Sequence, residues 1–154
     1  MQAAITIPYA VADFSDLRER GFYYVDKTQY ISLLERYNAL VFLRPRRFGK
    51  SLLVSTLTHY YDINKVDKFD SLFGGIYIGN HPTPERNKYM VLRFDFSKLV
   101  LADNMAGLER NFNNLLCPII QDSVEERARY PRFFEGFRFK DTDNAAVMLQ
   151  DIQN

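Results

Sequence analysis

Residues 44–51, Arg44-Pro45-Arg46-Arg47-Phe48-Gly49-Lys50-Ser51, hold the side-chain types that a polyphosphate site requires. Gly49 lets backbone N–H groups approach an anion closely, and Lys50 offers an ammonium to β- and γ-phosphates. Ser51 offers a hydroxyl to Mg2+. A helix must follow, because its first N–H groups are unpaired and its dipole is positive at that end. Gly-Lys-Ser alone is cheap, arising by ordinary residue usage in about a tenth of chains this long. The position where a glycine normally opens such a loop holds Arg44, and Pro45 imposes a different fixed turn. Two blander readings use the same residues: a solvated basic turn ahead of a helix, and a nucleic-acid patch. The second lacks the spread of basic and aromatic residues that such a patch carries.

The flanking segments supply the context. Residues 39–43, ALVFL, form a continuous apolar run, which reads as a strand buried on both faces of a parallel sheet. Residues 51–61 place Leu52, Leu53, Ser55, Thr56, Leu57 and Tyr60 at helical spacing. Strand, basic turn and helix in that order predict a phosphate-binding loop.

Other elements are legible by the same rules. Asp13 caps a predicted helix over 13–20, which Gly21 stops. FYYV at 22–25 reads as a short strand or extended turn, and Asp26 caps a helix over 27–36 that presents Tyr30, Leu33 and Leu34 on one face. Residues 69–73 predict a short helix, 89–96 (YMVLRFDF) a second strand, and 143–151 a last helical piece. Between about 104 and 129, Met105, Leu108, Phe112, Leu115, Ile119 and Ile120 keep helical spacing, and Pro118 should kink or split that helix.

Composition sets the outer bounds. With 154 residues, 47% apolar residues, 13 Phe and 10 Tyr, the chain can form a core. Its net charge of +1 directs any polyanion recognition to a local site. Cys117, the one cysteine, lies in LLCPII and reads as a buried thiol in a reducing compartment. Residues 1–12 lack the basic start of a signal peptide, and no apolar run approaches a membrane span, so a cytoplasmic protein is expected. His59 and His81 stand without metal-ligand spacing to Cys117.

The loop RPRRFGKS, the segment YYVDKT at 23–28 and the segment VLRFDFS at 91–97 together resemble the AAA-ATPase-like family of bacterial and archaeal proteins. In that family a loop written RPRRFGK[ST] stands for Walker A, and YVDKT precedes it by about 15 to 20 residues. The resemblance covers the chain from about Ile7 onward. It implies an α/β fold: a P-loop NTPase-like, three-layer α/β/α domain with ATP and Mg2+ as ligands. Arg44 to Ser51 would be the nucleotide loop, with Ser51 on the metal. The YVDKT motif would shape the nucleotide pocket, against the plainer role of Asp26 as a helix cap and Tyr24 as core. Full-length members usually add a restriction-endonuclease-like nuclease domain, which makes nucleic acid a candidate partner.

The resemblance also implies what to expect of this length of chain. In the family an acidic strand reading approximately LIDEYD positions Mg2+ and activates water, and it would fall beyond Asn154. Residues 1–154 would then be the N-terminal portion of one AAA-like ATPase domain, with an incomplete parallel sheet. ATP binding with poor hydrolysis is the expected behaviour. Asp95 is the one strand-borne acid, as a stand-in for the Mg2+ ligand or as a strand-terminal cap. A non-catalytic interaction module and a nucleic-acid-associated protein using the arginine loop remain the alternatives.

Overall fold

The computed structural model describes residues 6–125, 130 and 137–153. The tail of the helical pattern at 126–129 and the first residues of the 1–12 segment lie outside them. The chain forms two compact units, Met1–Val91 and Leu92–Asn154.

The first unit is built from short helices: α1 (Phe14–Glu19), α2 (Ile31–Leu34), α3 (Lys50–Tyr61), α4 (Phe69–Phe73) and α5 (Tyr77–Asn80). Three-residue and six-residue 3-10 turns at Thr28–Tyr30 and Ile63–Lys68 lead into α2 and α4. Asp13 caps α1 by accepting the Asp16 N–H, and Gly21 follows the helix at φ +65. The core gathers Phe14, Ile31, Tyr60, Phe69, Leu72, Phe73, Ile76 and Ile78, with Tyr24, Leu52, Leu57 and Tyr61 packed against it. The Phe14 and Phe73 rings lie 4.9 Å apart at its centre.

Two devices hold the small helices in place. Arg18 of α1 donates from Nε to the Leu72 carbonyl (2.7 Å) and from Nη2 to the Gly74 carbonyl (2.6 Å), satisfying groups at the C-terminal end of α4. Asp26 accepts from the N–H and hydroxyl of Thr28 with one oxygen and from the Tyr77 N–H, at 2.7 Å, with the other. The Thr28 hydroxyl in turn accepts the Ile78 N–H. The YVDKT motif is therefore a clamp on α5, with Tyr24 packed edge-on against Phe14.

The second unit pairs α6 (Met105–Glu125) with α7 (Ala145–Gln153). Their shared core is Leu116, Cys117, Ile120, Ala145 and Met148. Asn144 caps α7 by accepting from the N–H groups of Ala146 and Val147. Helix α6 runs from Met105 to Glu125 without ending at Pro118, so the predicted split does not occur.

The parallel-sheet expectation is overturned. Among the described residues there is no β-strand, only an isolated parallel bridge between Asp62 and Tyr89. A three-layer α/β/α sandwich with an incomplete parallel sheet is not the architecture of this chain. Residues 39–43 run without secondary structure, with Val41 80% and Leu43 86% exposed. The segments 22–25 and 91–95 are likewise irregular, and Phe96 opens a 3-10 turn in place of the strand expected over 89–96. A strand exists only where a neighbour takes up a run of its backbone groups. Among the described residues no backbone partner meets 39–43, and at 22–25 the Tyr23 N–H reaches the Thr6 carbonyl as one isolated bond (2.9 Å). On α2 the buried residue is Ile31, while Tyr30 and Leu33 face solvent, so the predicted apolar face is also corrected.

Candidate nucleotide site

The loop reaches α3 through two left-handed residues, Arg47 (φ +66) and Gly49 (φ +75). Gly49 is the N-cap of α3, and its carbonyl accepts the first helical bond, from Leu53 (2.9 Å). A left-handed residue followed by a right-handed one turns successive N–H groups toward one hollow, an anion-binding arrangement. No side chain caps the helix. Among the described residues, the N–H groups of Lys50, Ser51 and Leu52 have no protein acceptor, as the geometry of a first helical turn requires. The Lys50 ammonium folds back over the loop and donates to the Arg44 carbonyl at 2.7 Å.

A cavity of about 430 Å³ opens at this end of α3, lined by Tyr9, Ala10, Val11, Ala12, Arg47, Gly49, Lys50, Ser51 and Leu52. That volume falls within the roughly 300–1,000 Å³ typical of small-molecule sites. Of the eight loop residues singled out from the sequence, Arg47, Gly49, Lys50 and Ser51 line it. Arg44 sets its guanidinium 5.4 Å from the centre of the Phe42 ring and reaches the site through its carbonyl instead. Pro45, Arg46 and Phe48 stand outside the lining, with Phe48 exposed. Arg44, Arg46, Arg47 and Lys50 are all exposed, and none forms an ion pair among the described residues. The loop is a concentrated positive field with no carboxylate of its own to quench it.

The other stretch of the lining, residues 9–12, is not legible as a site in the sequence. It is irregular backbone, and Ala10 holds φ +56. Immediately after it, Asp13 Oδ1 accepts from the Asp16 N–H (3.0 Å) and the Ser15 hydroxyl (2.6 Å). Its Oδ2 accepts from the Ser55 hydroxyl of α3 (3.0 Å), which itself accepts the Phe14 N–H (2.9 Å). Partial burial works to raise the Asp13 pKa. The bonds from Ser15, Asp16 and Ser55, with the nearby His59, outweigh it and bring the carboxyl down to about 2. The signal that could have located this stretch is the polar inner face of α3: Ser55 and Thr56, which the sequence already sets at helical spacing, are buried together with His59.

Ser51 provides one hydroxyl oxygen at the cavity. Mg2+ prefers six oxygens and keeps several as water, using few protein ligands plus phosphate oxygens. A single hydroxyl therefore fits Mg2+ carried in with a polyphosphate, and does not make a free-standing metal cage. Among the described residues no group of three or more His, Cys, Asp or Glu side chains is placed to hold a metal. Asp95 is taken up elsewhere: it caps the turn Phe96–Lys98, accepting from the N–H and hydroxyl of Ser97 (3.1 and 2.6 Å). These bonds lower its pKa.

The left-handed Gly49 and the first residues of α3 thus line one cavity together with the basic Arg47. The chain belongs to the AAA-ATPase-like family, described as predicted AAA-ATPase, with the match running over residues 8–153 and so across both units. A curated relative from Azotobacter chroococcum mcd 1, "Uncharacterized protein in vnfD 5'region", is 34% identical over 99 residues, 63% of this chain. The aligned region spans 18% of that relative's length. No solved structure matches the chain. Among the described residues no helix is long and apolar enough to cross a membrane.

Proposed function

We propose that this chain binds ATP with Mg2+ at the 44–51 loop, as the nucleotide-binding portion of an AAA-like ATPase domain to which both units belong. The observation that carries the reading is the cavity at the start of α3, where Lys50, Arg47, Ser51 and the left-handed Gly49 converge. Helix N–H groups and cationic side chains there match a polyphosphate, and the Ser51 hydroxyl matches its Mg2+.

Binding and turnover part company in this reading. Hydrolysis needs a carboxylate to position Mg2+ and a group to orient water. Among the described residues no carboxylate lines the cavity, and Asp95 is occupied as a cap. The 154-residue chain is therefore expected to bind Mg-ATP and hydrolyse it slowly.

Thermal unfolding with and without Mg-ATP tests the proposal. A ligand present at 100 times its Kd stabilises by about 2.7 kcal/mol, a shift of several degrees in a domain of this size. Lys50→Ala should abolish the shift while leaving the ligand-free melting temperature nearly unchanged, because Lys50 makes one exposed bond. The exposed, unpaired arginines keep a nucleic-acid role as the second reading. Salt-sensitive DNA binding that survives Lys50→Ala but is lost with Arg46→Ala and Arg47→Ala together would favour it.

A further inference from the structure

The cavity lining comes from two chemically different stretches of chain. Arg47 and Lys50 bring cationic groups from the loop and the start of α3, whereas Tyr9, Ala10, Val11 and Ala12 contribute no charged side chain. The Tyr9 side chain is 95% exposed and so free to stack. An anionic chain joined to an aromatic base has the same polarity.

The 9–12 segment and α3 are linked by a polar contact between Asp13 and Ser55. Ser55 lies one helical turn beyond Ser51 on the same side of α3, and Asp13 directly follows Ala12. Ser55 is 1% exposed, and its hydroxyl makes both bonds available to it in that space: donation to Asp13 Oδ2 and acceptance from the Phe14 N–H. Removing the Ser55 hydroxyl would leave the buried Phe14 N–H without a partner, which makes this contact costly to lose. We propose that the Asp13–Ser55 clip is a positioning device that holds segment 9–12 at the cavity it shares with the loop, so that this segment receives the nucleoside of the bound nucleotide. This rests on the ATP reading above and adds to it the residues that distinguish a nucleotide from a bare polyphosphate. Asp13 and Ser55 act through the wall they hold, and Tyr9 meets the base.

Calorimetric titration of the full chain with Mg-ATP and with Mg-tripolyphosphate tests this. Ser55→Ala and Tyr9→Ala should each weaken Mg-ATP on the order of tenfold, about 1.4 kcal/mol, and leave Mg-tripolyphosphate within about twofold. Lys50→Ala should weaken both ligands. Should Ser55→Ala fail to fold, Asp13→Asn keeps an oxygen for the α1 cap, alters the acceptor facing Ser55, and carries the same comparison. If neither ligand binds, or Lys50→Ala changes neither, the ATP reading falls and takes this inference with it. If both bind through Lys50 but the clip or Tyr9 variants weaken the two ligands equally or not at all, the positioning role is overturned and the ATP reading stands.

Discussion

Gly49 illustrates how much one backbone angle decides. A Cβ built at this position meets nothing within 4 Å, so steric space does not require glycine; φ +75 does. Gly49→Ala should cost about 1–2 kcal/mol in chemical denaturation, the usual left-handed penalty, and Gly49→Asn should cost less. An equal loss in both would show that conformation is not the reason for the glycine. Asp13 carries a second expectation at this scale. Its carboxyl sits at about 2 when folded against an ordinary value of 3.8. Folding is therefore favoured by this group above the unfolded value, and the advantage disappears as pH falls through about 2. Acid unfolding curves of the native chain and Asp13→Asn should differ most above pH 4 and converge toward pH 2. A constant offset across that window would remove the carboxylate from the account. The size of the effect is reduced by solvent screening, because Asp13 is exposed.

At the scale of elements, the short helices depend on cross-links more than on their own length, since helices of four to six residues have no stability alone. Arg18 is the clearest case. Arg18→Ala removes two charge-assisted bonds to the end of α4 and should lower the stability of the first unit by about 2 kcal/mol. Arg18→Lys should recover only part, because one ammonium cannot reproduce the guanidinium fork. Denaturant midpoints read both, and full recovery by lysine would reduce the contact to simple charge. Asp13 and Gly21 bracket α1 and make it legible from sequence, and the spacing after the loop marks α3. The inner face of α2 was misread because the 3-10 turn at Thr28–Tyr30 alters the phase, which buries Ile31 in place of Leu33. The run at 39–43 was misread for a different reason. Apolar, β-prone residues state a preference, and a strand forms only when a partner supplies hydrogen bonds. Of the site, the loop was visible as a motif, whereas the 9–12 wall has no period or motif to show itself.

Across the whole molecule, exposure of the 39–43 backbone predicts a distinctive exchange pattern. None of those N–H groups has a backbone acceptor among the described residues, so their amides should exchange at near-intrinsic rates, while those of α3 and α6 are protected. Slow exchange over 39–43 would show that the segment is paired in solution. The second unit contains its own probe. Cys117 is the chain's one cysteine, packed with Leu116, Ile120, Ala145 and Met148, and burial raises its thiol pKa. A thiolate reagent can therefore reach it only when α6 and α7 part. The rate of thiol modification becomes a clock for that opening, obtained from the natural sequence with no label introduced, and it reads one unit of the chain without disturbing the loop at the start of α3.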